Sequence, residues 1–434
     1  MVKVSKINQE EFPIVGFVGL SHLGLVTSTV LSTLGFKTIC FDISKKTINE
    51  LKSQKTLITE PKLDEFLKLA SINQTFTNDF DDLKHCKVIY VSGDVPTDEF
   101  GKSDTKAIKE LALKISVLTK DACIVILSQV NPGFTRAISN LISNQLYYQV
   151  ETLIFGDAIN RSRLPERIIV GSLDKKMELN TSLRCILEVY NCPILVFDYE
   201  SAEFTKISIN AFLASDVSLS NTLAEICEVS GANWSEIVSA LKLDKRIGTS
   251  RYLRPGLGIS GGNIERDLNT ISEIAHSSGS KFDIIQSIIN SNLHHKSWVM
   301  RKLNQLGILN SANLSIGIWG LSYKENTNSI KNSPSLQIIN ELPARFDIYA
   351  HDPAVKTLST DTKKLELVNN PEIILEKADV LLILTPWSNY KAYANSDVLS
   401  RFSGKIIIDP FQVLDKEFCN SIGVTYFAIG EPSS

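Results

Sequence analysis

A chain of 434 residues is too long for one ordinary hydrophobic core, so two or three domains are expected. Apolar residues supply 43% and charged residues 21%, the balance of a globular protein with a filled interior. A net charge of −3 leaves no electrostatic footprint for nucleic acid or an anionic membrane, and no apolar run reaches the ~20 residues that span a bilayer.

The N-terminus, M-V-K-V-S-K-I-N-Q-E-E-F-P, lacks the apolar region of a secretory signal. The seven cysteines (Cys40, Cys86, Cys123, Cys185, Cys192, Cys227 and Cys419) are odd in number, scattered and without C-x-x-C spacing. They read as reduced thiols of a cytoplasmic protein, with no zinc site or other metal centre and no disulfide frame.

The first element is a β-forming run, I-V-G-F-V at 14–18. The turn G-L-S-H-L-G (19–24), a helical segment ending near Gly35, and a second strand closing on Asp42 follow it. Strand, glycine turn, helix, strand and an acid roughly 20 residues on is the order a dinucleotide needs. The turn (Gly19, Ser21, Leu23, Gly24) faces a pyrophosphate on the helix N-terminus, and Asp42 takes the ribose hydroxyls, favouring NAD over NADP. Ser21 stands at the middle glycine position, where its side chain either crowds the cofactor or donates to a phosphate oxygen. A βαβ unit with an ordinary turn and no cofactor is the alternative.

Further strands are expected at Val88–Val91 and Cys123–Leu127, each followed by a loop at the end where open α/β sheets bind ligands. Glu151 precedes an apolar run, which by itself describes a capping or solvated acid. Ser201–Val229 then reads as one long helix with neither Pro nor Gly, and Lys206 and Asn210 fall one turn apart on its surface. Tyr252–Asp267, Y-L-R-P-G-L-G-I-S-G-G-N-I-E-R-D, packs four glycines behind Pro255. That density excludes a helix or strand interior, and the apolar brackets Tyr252, Leu253, Ile259 and Ile264 suggest an ordered loop close to a ligand. A second β-rich unit starts at Ser315, with strands near Asp347–Ala350, Val380–Leu384 and Lys405–Asp409 and a helix at Ser333–Glu341.

These strings, from about residue 14 to 427, resemble the UDP-glucose/GDP-mannose dehydrogenase (nucleotide-sugar 6-dehydrogenase) family. The glycine stretch is similar to the family's catalytic loop, F-L-x-P-G-x-G-F-G-G-S-C-x-P-K-D. Tyr252, Leu253, Pro255, Gly256, Gly258, Gly261 and Asp267 fall in place, while the nucleophilic cysteine falls on Asn263 and the lysine on Arg266. The strings A-E-F-T-K-I-S-I-N-A-F-L-A and D-K-R-I-G resemble segments carrying the sugar-site Lys206 and Asn210 and a substrate-contacting Arg246. Near the nicotinamide, Pro96, Gly101 and Asp104 are kept, whereas Val95 and Gln129 replace threonines, and Glu151 aligns with an active-site glutamate. In the last third, Lys324 is retained and Phe411 stands where a substrate-facing arginine is usual.

The resemblance implies two Rossmann-like α/β domains joined by a long central helix and a helical middle domain. Its boundaries are 1–200 (NAD), 201–305 (dimerisation, with the catalytic loop 252–267) and 306–434 (UDP). It implies NAD as cofactor, a UDP-hexose as substrate in polysaccharide precursor synthesis, and a homodimer or higher oligomer. Lys206, Asn210, Asp267, Glu151 and Asn263 become the catalytic set. Gly19, Ser21, Leu23, Gly24, Asp42, Val95, Pro96, Gln129 and Arg266 bind the cofactor. Arg246, Tyr252, Leu253, Gly256, Gly258 and Lys324 bind the substrate. A side-chain amide cannot form the thiohemiacetal through which relatives reach a carboxylate. Three readings stay open: a two-electron dehydrogenase, a nucleotide-sugar-binding protein without turnover, and a four-electron enzyme in which Asn263 positions an aldehyde hydrate.

Overall fold

The computed structural model describes residues 12–56, 58–98, 103–358 and 364–432. Two compact units divide the chain, Met1–Ser208 and Ile209–Ser434.

The first unit is built on strands β1 (Val15–Val18), β2 (Thr38–Phe41), β3 (Gln74–Thr77), β4 (Val88–Val91), β5 (Cys123–Ile126), β6 (Leu146–Gln149), β7 (Ile168–Ser172) and β8 (Ile194–Asp198). Their order is β3-β2-β1-β4-β5-β6-β7-β8. Only the β6–β7 pair is antiparallel. The runs V-G-F-V, V-I-Y-V and C-I-V-I are buried along their whole length, as parallel strands covered on both faces must be. Period-2 alternation sorts them: Val15, Phe17, Val88, Tyr90 and Val125 enter one core, and Val18, Ile89, Val91, Ile124 and Ile126 the other. Chain order reverses between β1 and β4, the crevice where doubly wound sheets bind nucleotides.

The second unit repeats the plan with β9 (Ser315–Trp319), β10 (Asp347–His351), β11 (Leu365–Leu367), β12 (Val380–Ile383), β13 (Ile406–Ile408) and β14 (Thr425–Phe427), in the order β11-β10-β9-β12-β13-β14 and parallel throughout. Ile316, Ile318, Val380 and Leu382 line one core, and Trp319, Leu381, Ile383 and Ile407 the other.

Four helices matter for function: α1 (His22–Thr33), α2 (Tyr199–Ser230), α3 (Asn263–Ser278) and α4 (Asp283–Lys296). Helix α2 runs 32 residues, about 48 Å at 1.5 Å per residue. It follows β8 directly and stops at Gly231, whose φ of +79° an L side chain adopts with difficulty. Within the second unit α2 also carries an exposed apolar row: Phe212 (67% exposed), Leu219 (62%), Leu223 and Ile226. Among the described residues no helix is long and apolar enough to cross a membrane.

One expectation is corrected. The glycine-rich stretch does not stay a loop to Asp267, because α3 begins at Asn263 with Gly262 as its left-handed N-cap (φ +105°). The two glycines end the loop, and Ile264 and Leu268, four apart, turn one face of the new helix onto Ala214, Ile259 and Ile288. Asn263, Arg266 and Asp267 are therefore helical residues.

Candidate active site

In the first unit the chain leaves β1 at Gly19, whose φ is +92° and whose added Cβ would lie 2.6 Å from the Gly93 Cα. A Cβ on Gly24 would meet the Gly19 carbonyl oxygen at 2.2 Å and Ser92 Oγ at 2.5 Å. Both glycines are thus demanded by the close passage of the turn against the chain leaving β4. Leu23, between them, is half-buried against the adjoining core. Ser21 is the N-cap of α1: its hydroxyl donates to the Ser92 carbonyl at 2.7 Å and accepts from the Gly24 N–H at 3.5 Å. The single hydroxyl proton of Ser21 is thereby directed at Ser92.

Asp42 closes the turn from the β2 side. Its Oδ2 accepts from Leu20 N and its Oδ1 from Ser44 N, both at 2.9 Å. Two bonds leave lone pairs of this half-buried carboxylate for sugar hydroxyls. No acid stands in the first turn of α1 to repel an anion. A cradle cleared of side chains, a helix N-terminus and a ribose-side carboxylate together fit NAD.

The loop after β4 is pinched by a Thr97–Ser103 bridge and by the Asp104 N–H donating to the Pro96 carbonyl. Val95 is half-buried and Pro96 exposed, while Gly101 lies outside the described residues. Gln129 follows β5 half-buried. The loop it begins is held by Glu203 of α2, a fully buried acid accepting from Gly133 N (2.6 Å) and Thr135 N (2.8 Å). Burial pushes the Glu203 carboxyl pKa up against the pull of those two bonds.

Lys206 Nζ is 2.8 Å from Glu151 Oε1 and donates to the Glu151 carbonyl at 3.0 Å, both side chains nearly buried. Glu151 Oε2 accepts from Leu153 N. The segment that carries Glu151 is anchored by Glu60, a carboxylate with no exposed side-chain surface. Its oxygens accept from Gly156 N (2.9 Å), Ala158 N (2.8 Å) and His22 Nε2 (2.9 Å). His22 in turn stacks on Phe155, 4.0 Å between ring centres. Neither Glu60 nor Glu203 was singled out from the sequence. An isolated acid has no spacing signal, and the N–H groups each serves lie about 70 to 98 residues away.

In the second unit Asn210 Nδ2 donates to Asp267 Oδ2 at 2.6 Å, with both residues buried. Arg266 Nε lies 3.3 Å from the other Asp267 oxygen, and one buried guanidinium nitrogen of Arg266 has no hydrogen-bond partner. Asn263 is exposed at the first position of α3. Side-chain amides shape the loop before it: Asn221 Oδ1 accepts from Gly256 N (2.8 Å) and Asn292 Oδ1 from Ile259 N (2.6 Å). A Cβ on Gly258 would strike that same Asn292 oxygen at 2.5 Å, and one on Gly256 would meet Phe411 at 2.7 Å. The Tyr252 carbonyl accepts from Ser220 Oγ and the Leu253 carbonyl from Trp234 Nε1.

Tyr252, Leu253 and Phe411 also line a cleft of about 640 Å³ with the cations Lys242, Arg251, Arg254 and Lys391. Arg254 donates to the Phe411 carbonyl, and Arg251 pairs with Asp216 at 2.6 Å. The four cations suit an anion, and position 411 offers them an aromatic face instead of a guanidinium. Arg246 is not among the lining residues: it grips Asp244 through two bonds, its side chain 88% exposed. Lys324 is half-buried, its ammonium 5.8 Å from the centre of the Tyr323 ring.

Comparison with known proteins accounts for this layout. Three domains of the UDP-glucose/GDP-mannose dehydrogenase family match in sequence: the NAD-binding domain over residues 5–192, the central domain over 200–294 and the UDP-binding domain over 317–416. A UDP-glucose 6-dehydrogenase of Rickettsia typhi is 31% identical, covering 95% of this chain and 98% of its own. The UDP-glucose 6-dehydrogenase TuaD of Bacillus subtilis is 29% identical, covering 96% and 93%. The fold is that of a UDP-glucose dehydrogenase from Pyrobaculum islandicum, with a TM-score of 0.85 at 22% identity, covering 98% of this chain and 99% of that one. With the NAD cradle of the first unit, these matches establish that the chain belongs to the UDP-glucose/GDP-mannose dehydrogenase family and is an NAD-dependent oxidoreductase acting on a nucleotide sugar.

Proposed function

We propose that the chain oxidises the C6 alcohol of a UDP-hexose, in the supply of polysaccharide precursors, and stops at the aldehyde. The observation that carries this reading is Asn263, an exposed amide at the first position of α3, where relatives are expected to keep a cysteine. NAD, when bound, would supply the hydride acceptor for C6. The remaining work falls to the chain's own groups. The resemblance assigns the proton-transfer work to Lys206, held by Glu151, and to Asp267, held by Asn210 and Arg266. Asn210 is assigned to donate to the oxygen as charge develops on it. One C–H and one O–H bond break, and aldehyde, NADH and a proton result.

A second oxidation needs a group that adds to the aldehyde. An amide nitrogen, its lone pair delocalised into the carbonyl, does not add; it only hydrogen-bonds. UDP is favoured over GDP by the UDP-glucose dehydrogenase names of the relatives and by the UDP-binding domain match. The apolar row Phe212, Leu219, Leu223 and Ile226 supports a homodimer seamed along α2.

Purified protein given NAD and a panel of UDP- and GDP-sugars is expected to release one NADH per sugar and an aldehyde that hydroxylamine traps. Two NADH per sugar with a carboxylate product would overturn the aldehyde reading. Asn263→Cys is expected to raise the yield from one NADH per sugar towards two.

A further inference from the structure

Away from the residues used above, α2 and α4 bring together a carboxylate and two imidazoles. Glu225, His294 and His295 offer one donor atom each, and these atoms all lie within 4.8 Å of one another. His294 Nε2 is 2.9 Å and His295 Nδ1 3.4 Å from Glu225 Oε2. A tetrahedral ion with bonds of about 2.1 Å holds its donors roughly 3.4 Å apart, the spacing His295 Nδ1 and Glu225 Oε2 already have, and rotation of the exposed His294 brings in the third donor.

The protonation of His295 follows from its neighbour. The Thr222 hydroxyl gives its one hydrogen to the Ser218 carbonyl at 2.8 Å. Its oxygen, 3.4 Å from His295 Nε2, is then an acceptor, and Nε2 carries the ring hydrogen. Nδ1 therefore points a lone pair at the carboxylate oxygen. His295 is 1% exposed, and its Nδ1 has no hydrogen-bond partner. Two lone pairs facing each other across 3.4 Å are a contact that a cation between them relieves.

We propose that Glu225, His294 and His295 form a divalent transition-metal site of the zinc type, clamping α2 to α4. Two imidazoles and one carboxylate suit Zn²⁺ and its late first-row neighbours, and the side open through His294 leaves a fourth position for water. Thr222 is the positioning residue, fixing the tautomer that exposes the Nδ1 lone pair. Arg301 opposes the ion: its guanidinium holds the other carboxylate oxygen, Glu225 Oε1, at 2.5 Å. The site's affinity is accordingly expected to rise when that charge is removed.

The test uses reduced, tag-free, full-length protein titrated with Zn²⁺ alone against a chromophoric chelator, and with Co²⁺ read by its ligand-field absorption. One equivalent per chain is expected, with the intensified Co²⁺ bands of a tetrahedral site. His294→Gln and Thr222→Val, both at exposed positions, are expected to weaken binding at least tenfold, and Arg301→Gln to strengthen it. Metal-free melting curves of the variants show that the fold survives. Absence of stoichiometric binding overturns the proposal. So does binding left unchanged by His294→Gln and Thr222→Val, which would place the ion on thiols elsewhere.

Discussion

Glu60 shows how much one side chain can hold. Its buried carboxylate accepts from Gly156 N, Ala158 N and His22, and so fixes both the start of the helix at Ala158–Arg163 and the approach to Glu151. Removing it strands the Gly156 and Ala158 N–H groups, each bond worth roughly 1.5–3 kcal/mol when made to a charge. Glu60→Ala is therefore expected to destabilise the first unit by about 3 kcal/mol or more, while Glu60→Gln, which keeps one acceptor oxygen, loses clearly less. Thermal melts of the pair in parallel check this, and equal losses would show the carboxylate bonds to be incidental. His351 makes a residue-scale prediction about pH. The Tyr390 hydroxyl donates to the His351 carbonyl and accepts from its Nδ1, both at 2.9 Å, which places a ring hydrogen on Nδ1. Burial, aided by Lys356 and opposed by Asp352, pushes its pKa down to about 4. Below the unfolded value of about 6.5 the unfolded chain binds the proton and the native chain does not, so this contribution is present above pH 6.5 and is lost as pH falls towards 4. Asp409 acts with the opposite sign. Burial raises its carboxyl to about 6 despite four donors, so its contribution is present below its unfolded value of about 3.8 and lost as pH rises to 6. Comparison with His351→Gln isolates the histidine. Between pH 7 and 5 the wild type is expected to lose about 2 kcal/mol more than the variant, and parallel stability curves would refute the buried neutral ring.

At the scale of elements, what was legible followed from chain-local pattern. The buried runs at β1, β4 and β5 read as parallel strands because every residue is apolar, and α2 read as one helix because no Pro or Gly interrupts it. The Gly19–Gly24 turn and Asp42 declared themselves by spacing. The start of α3 did not: glycines mark where a helix cannot run, yet Gly262 serves as a cap, which only its φ of +105° reveals. Glu60, Glu203 and the Glu225–His294–His295 group were invisible for a different reason, since each joins positions far apart in the chain that local periodicity never compares. The apolar row of α2 shows itself through the exposure of Phe212, Leu219, Leu223 and Ile226, and it carries a prediction. Phe212 and Leu219, seven apart and more than 60% exposed, contribute little to the fold of one chain. Phe212→Glu with Leu219→Glu is expected to leave the melting temperature of the monomer nearly unchanged and to weaken self-association by on the order of 100-fold or more, through like charges meeting across a two-fold axis. Light scattering across a dilution series reads this directly. An unchanged mass in the double variant would remove α2 as the seam.

At the scale of the whole molecule, each unit owns a sheet with a core on both faces, Val15 and Val18 marking the two sides of one sheet and Ile318 and Trp319 those of the other. Each unit therefore has a core of its own, which is the condition for cooperative unfolding unit by unit. The NAD-binding family match covers the first sheet up to β7, and the UDP-binding match covers most of the second. Ligand linkage then makes a prediction with separate readouts. A ligand at 100 times its Kd stabilises the unit that binds it by about 2.7 kcal/mol, or roughly 5–10 °C for a unit of 150–250 residues. Calorimetry is expected to resolve two transitions, NAD raising one and UDP the other. A single transition raised by both ligands would mean that the units unfold as one. Two transitions with NAD moving neither would show that the turn capped by Ser21 no longer holds the cofactor.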